Sequence, residues 1–120
     1  MRVRIKRVYD PPARDDGARF LVDRHWPRGI RKQDLPLDGW LRDAAPSGDL
    51  CGWYGGVPAR WEEFVARYHR DLDRQPAVLT PIRAAARLGS VTLLYSAKDT
   101  QRNSAVALRA YLERDERAQA

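Results

Sequence analysis

One cysteine in 120 residues, Cys51, excludes an internal disulfide and fits a reducing compartment. No base stands near it in sequence, so it reads as a small inert side chain. The two histidines, His25 and His69, are isolated, and with a single cysteine they make no metal-ligand spacing. No apolar run approaches the roughly 20 residues that span a bilayer, so no membrane partner is expected. The first ten residues, MRVRIKRVYD, lack the continuous apolar core of a signal peptide, and a cytoplasmic location is expected. The chain has no Walker-type phosphate loop, no dinucleotide fingerprint and no Gly-x-Ser-x-Gly elbow. Nothing in it matches a named nucleic-acid module, and nothing specifies a cofactor or an oligomeric state.

What is present is arginine. Of 22 basic residues only Lys6, Lys32 and Lys98 are lysine, and the net charge is +6. The isoelectric point is about 10.0. Arginine binds phosphate and carboxylate in bidentate fashion, so anionic partners fit. An Arg-for-Lys bias of a high-GC genome fits equally, because Asp and Glu are interleaved along the chain. At 43% hydrophobic residues the chain can bury a core, and its length suits one domain over residues 1–120.

In residues 91–112, VTLLYSAKDTQRNSAVALRAYL, the apolar run VTLLY predicts a strand buried on both faces, as in a parallel sheet. A polar turn follows, then a helix with Ala105, Leu108 and Leu112 on one face. Residues 2–9 alternate Val3 and Ile5 with arginines and predict a strand near the sheet edge, ended by Pro11 and Pro12. Residues 19–23 predict a second strand. Residues 37–45 read as a short helix stopped by Pro46, and Ser47 caps a further turn before the break at Gly55 and Gly56. Trp61, Phe64, Val65, Tyr68 and Leu72 recur at helical spacing behind Pro58, an aromatic stripe that reads as core. Val78, Leu79, Ile82, Ala85 and Ala86 give another helix, with Gly89 at its end. The tail ERDERAQA is expected to fray. The fold class expected is α/β: one small domain, a mainly parallel sheet of three to five strands flanked by helices in Rossmann-like layering.

If the sheet is parallel, the residues leaving each strand meet at its carboxyl edge, where ligands of such sheets bind. These are Tyr9 and Asp10, then Asp23, Arg24, Trp26 and Arg28, then Ser96, Lys98 and Asp99. Arg24, Arg28 and Lys98 would clamp an anion, and Asp23 or Asp99 would be the general base of any reaction. Asp99 has a second reading as N-cap of the last helix, and Trp26 as a plug in the core. A metal would need Asp10, Asp23 and Asp99 together. Three functions stay open: a site for an anionic or nucleotide-like small molecule, an Arg-rich nucleic-acid-binding module, and an interaction module using Trp40, Trp53 and Tyr54.

The segments KRVYDPP, FLVDRHWPRGIRK, LDGWLRDAAPS, WYGGVPARWEEFVARYHRDL and VTLLYSAKDTQRNSAVALRAYL together resemble the YeaO-like group of the domain of unknown function 488. The resemblance covers nearly the whole chain and implies a small cytoplasmic bacterial α/β protein. Its motif residues fall on Tyr9, Asp10, Asp23, Arg24, Trp26, Pro27, Arg28, Gly29, Lys98, Asp99 and Asn103. His25 departs from a common leucine. The wider superfamily places cysteine and a Cys-His-Arg stretch around the last strand-to-helix turn. This chain has Tyr95 and Gln101, Arg102, Asn103 and Ser104 there, which argues against cysteine or metal chemistry at that turn.

Overall fold

Among the described residues, 2–119 of the computed structural model, the chain forms one four-stranded sheet and four α-helices. The strands are β1 (Val3–Arg7), β2 (Ala18–Leu21), β3 (Gly39–Trp40) and β4 (Val91–Tyr95), all parallel, in the order β1-β4-β2-β3. The helices are α1 (Gly48–Tyr54), α2 (Trp61–Arg74), α3 (Thr80–Leu88) and α4 (Ser104–Gln119). Each residue of β4 is buried, as its unbroken apolar run predicts, and β1 lies on the edge.

Strand pleating sorts the sheet's side chains onto two faces. Phe20, Val22, Val91, Leu93 and Tyr95 face the larger core, completed by Leu50 of α1, Phe64, Tyr68 and Leu72 of α2, Ile82 of α3 and Ala105, Leu108 and Leu112 of α4. The helices thus gather on one face. On the other, Val8, Leu21 and Leu94 are covered by the loop residues Leu35, Trp26, Ile30 and Leu37, together with Trp40.

The helix expected over residues 37–45 does not form. Asp38 N donates to Arg19 O and Leu41 N to Leu21 O, so this segment pairs with the free edge of β2 as β3, and a 3₁₀ turn, Arg42–Ala44, follows. An open parallel edge and the β-favouring Trp40 outweigh a short helical pattern. The last helix also continues through Gln119 where a frayed end was expected. Arg114 meets Asp73 of α2 at 3.1 Å, and Arg83 of α3 meets Asp115 at 2.7 Å.

One buried aspartate just ahead of β2 joins three strands, two through its carboxylate and one through its backbone carbonyl. Asp16 accepts from Lys6 Nζ at 3.1 Å, from Arg19 Nη1 and from Ala13 N, and its backbone carbonyl accepts from Thr92 Oγ1 at 2.7 Å. Gly17 follows at φ 66°, and a Cβ there would sit 2.1 Å from Ser90 O, so only glycine fits.

Burial alone would raise the Asp16 carboxyl, but the Ala13 N–H, Lys6 and Arg19 overcome it and hold it below its ordinary value of 3.8. A carboxyl depressed on folding contributes stability that is full above its unfolded pKa and is lost as pH falls through the folded one. Asp16→Ala is expected to cost about 3–5 kcal/mol in urea denaturation, because it strands the Arg19 guanidinium. The acid-induced loss of wild-type stability below about pH 4 should be shallower in the variant. A loss under about 1 kcal/mol would show that water replaces the carboxylate without penalty.

Candidate functional site

The three long strands end level with one another. Val8 N donates to Tyr95 O at 2.8 Å and Val22 N to Leu94 O at 3.1 Å, carrying the pairing one residue past β1 and β2. The chain then leaves the sheet at Tyr9, at Asp23 and at Ser96, on one edge. A cavity of about 940 Å³ opens there. Of the residues expected at the site, Tyr9, Asp23, Arg24, Trp26, Arg28, Ser96, Lys98, Asp99 and Asn103 all line it. Asp10 does not: the chain turns back after β1, with Asp10 N donating to Arg7 O, and the side chain is exposed elsewhere. Among the described residues no three His, Cys, Asp or Glu side chains cluster as a metal would require.

Asp23 ties the edge together. Its Oδ2 accepts from Ser96 N and Ser96 Oγ, each at 2.8 Å, and its Oδ1 accepts from Ser104 Oγ at the start of α4. Its backbone carbonyl accepts from Trp40 Nε1 at 2.8 Å. One residue therefore links β2, the exit of β4, α4 and β3. Three of about four carboxylate acceptor positions are filled by these donors.

The turn after β4 is built by its own side chains. Asp99 Oδ1 accepts from Gln101 N at 2.9 Å and Arg102 N at 3.1 Å. The Gln101 N–H, followed by the Arg102 N–H and guanidinium, holds the Asp99 carboxyl below its ordinary range against slight burial. The cap of α4 is Asn103 rather than Asp99: Asn103 Oδ1 accepts from Val106 N at 2.9 Å, and its Nδ2 donates to Asp99 O. From the far side Arg7 donates to the carbonyls of Ala97 and Ser96, at 3.0 and 3.2 Å.

Trp26 serves the second core. Its ring meets Trp40 edge-on at 5.3 Å, and its Nε1 donates to Ile30 O. Tyr9 Oη donates to Arg28 O at 3.0 Å, fixing the loop that carries Arg28. Arg24 Nε donates to Pro46 O at 3.2 Å. Arg28 and Lys98 are exposed at the cavity, and among the described residues neither has a carboxylate partner. Four cations, Arg24, Arg28, Lys98 and Arg102, face two carboxylates, Asp23 and Asp99.

The opposite wall was not anticipated from sequence. It includes Gly48, Cys51, Gly52 and Tyr54 of α1 and Trp61 and Phe64 of α2. Helical periodicity marks Trp61 and Phe64 as core; Phe64 is buried there and Trp61 packs against it half-buried, and periodicity is silent on whether such a ring also shows one face to a cavity. Cys51 is exposed, yet partial desolvation of its thiol by the surrounding cavity wall pushes it up, and the charge of Asp23 adds to this while Arg24 opposes it. At about pH 7.5 iodoacetamide should therefore modify Cys51 more slowly than it modifies free cysteine, with the rate climbing above pH 9. A rate equal to free cysteine, followed by mass spectrometry, would refute that environment.

A model of the inactive DUF488-N3 subclade matches residues 2–120. The uncharacterized protein YeaO of Escherichia coli (strain K12) is 40% identical over 112 residues, covering 93% of this chain and 97% of that protein. The uncharacterized protein Rv3073c of Mycobacterium tuberculosis (strain ATCC 25618 / H37Rv) is 41% identical over 107 residues, covering 89% of this chain and 90% of that one. No solved structure matches. With the match running over almost its entire length, the chain belongs to the inactive DUF488-N3 subclade, among the YeaO-like proteins of the domain of unknown function 488.

Proposed function

We propose that this protein binds a small anionic ligand at the carboxyl edge of its sheet and does not transform it. The observation that carries this reading is the placement of Arg28 and Lys98. They come from two different strand exits, line one cavity and have no carboxylate to neutralise them among the described residues. Arg24 lines the same cavity. Cations held apart from carboxylates keep their full attraction for an incoming anion. The cavity volume lies in the range of small-ligand sites, and the place is where open α/β sheets hold ligands.

The engagement of the acid–base groups supports binding without turnover. Asp23 and Asp99 were the residues expected to act as a base. Each accepts hydrogen bonds that shape the turn between β4 and α4. The description of the subclade as inactive accords with this.

A nucleic-acid module would need a continuous basic face. Nine arginines, Arg4, Arg19, Arg31, Arg67, Arg74, Arg83, Arg102, Arg109 and Arg114, instead sit in ion pairs. An interaction module would need exposed Trp40, Trp53 and Tyr54, and all three are half-buried.

The test is a thermal-shift screen of inorganic phosphate, sugar phosphates and nucleotides on the wild type and on Arg28→Ala with Lys98→Ala. Both side chains are exposed, so the double variant should keep its fold. A ligand at about 100 times its Kd stabilises by about 2.7 kcal/mol, a rise of several degrees in Tm. That rise should vanish in the double variant. A wild type indifferent to every anion, or a double variant that responds equally, would overturn the reading.

A further inference from the structure

The bare face of α1 has no internal reason to be bare. Gly48 and Gly52 lie one helical turn apart in α1. Neither has positive φ, so neither conformation requires glycine. A Cβ at either would meet nothing within 4 Å, so no neighbour requires it. Glycine in a helix is less stable than alanine, and in a helix of seven residues that loss is felt. Both glycines line the cavity, and the space that their missing side chains leave open is cavity space.

The same cavity is lined by a cluster of rings. Tyr54 lies 5.6 Å from Trp61 and 4.8 Å from Phe64, and Trp61 stacks on Phe64 at 5.4 Å with 20° between the planes. Tyr54 and Trp61 are only half-buried. A wall of this kind, with open space kept beside it, receives a flat ring by stacking. The cationic loops supply the other requirement. Four cations against two carboxylates suit the double charge of a phosphate monoester better than a single carboxylate.

Building on the anion site proposed above, we infer that the ligand is a nucleoside monophosphate. Its phosphate lies among Arg24, Arg28 and Lys98, and its base lies against Tyr54 and Trp61 in the space left by Gly48 and Gly52. The glycines are then specificity-determining: any side chain there would take up the room that the base needs.

The experiment is a calorimetric and tryptophan-fluorescence titration of the full chain. The probes are AMP, GMP, CMP and UMP, set against ribose 5-phosphate, inorganic phosphate and a short single-stranded oligonucleotide. The proteins are the wild type, Gly52→Leu, and Arg28→Ala with Lys98→Ala. At least one mononucleotide should bind about tenfold or more tightly than ribose 5-phosphate, the worth of one stacked base, and should quench tryptophan emission. In Gly52→Leu that advantage should be lost while Tm is equal to or above wild type, since leucine favours the helix and meets no neighbour. The double variant should lose phosphate-dependent binding altogether. Equal binding of mononucleotides and ribose 5-phosphate would overturn the inference and leave the anion site standing. Failure of every phosphate would overturn both. An oligonucleotide that binds more tightly than every mononucleotide would also overturn it, making the occupant a nucleic-acid strand. So would Gly52→Leu retaining the full advantage.

Discussion

Among the described residues β4 is the one strand with a long neighbour on each side, and both pair with it in parallel from its first residue. Val3 and Ala18 stand opposite Val91, and Ile5 and Phe20 stand opposite Leu93. Every backbone group of a strand buried on both faces needs a partner, so this double register cannot slip without stranding polar groups in the core. The register has a consequence beyond stability. It fixes where β1 and β2 end relative to β4, and hence which residues emerge side by side. Tyr9, Asp23 and Ser96 share an edge because their strands start level and run the same way.

Two aspartates then lock the sheet at its two ends. Ahead of β2 Asp16 gathers Lys6, Arg19 and Thr92, one residue from each long strand. At the carboxyl edge Asp23 gathers Ser96, Ser104 and the Trp40 indole. The chemistry is the same: one acceptor-rich group satisfying donors from elements that would otherwise separate. The outcomes differ because Asp16 is buried, whereas Asp23 stands at the wall of an open cavity. The hydrogen bonds of Asp23 and of Tyr9 hold the loops from which Lys98 and Arg28 project, and a pre-set loop loses less conformational freedom on binding.

The sequence makes some of this legible and hides the rest for definite reasons. VTLLY can be read as a doubly buried strand because five apolar or β-favouring residues leave no polar side for solvent. Placing that strand in a parallel sheet is enough to bring nine of ten expected site residues to one cavity. Asp10 lies outside that cavity, where the chain turns after β1 with Asp10 N donating to Arg7 O, a local event with no periodic signature. β3 is hidden because a two-residue strand has no alternation to read. Only the open edge of β2, a tertiary fact, gives Gly39 and Trp40 their partners. Asp99 and Asn103 both suit a helix cap in composition. The cap falls to Asn103 because Asp99 is taken up by the turn ahead of it.

The aromatic stripe of α2 shows why the second wall of the cavity escapes a reading by periodicity. A helical repeat reports which residues point inward, and Trp61 and Phe64 do point inward. It does not report that α1, laid across that stripe, carries glycine where it could have carried alanine or leucine. Whether an inward-facing ring is sealed or shows one face to open space depends on the residues opposite it. Gly48 and Gly52 line the same cavity as these rings, and their bareness has no conformational or steric cause within the fold. An apolar wall with free space beside it and cations across from it has a distinct physical character. On the reading proposed above, it suits a molecule that is flat at one end and charged at the other. The two carboxylates of the cavity, Asp23 and Asp99, accept hydrogen bonds that shape the turn between β4 and α4.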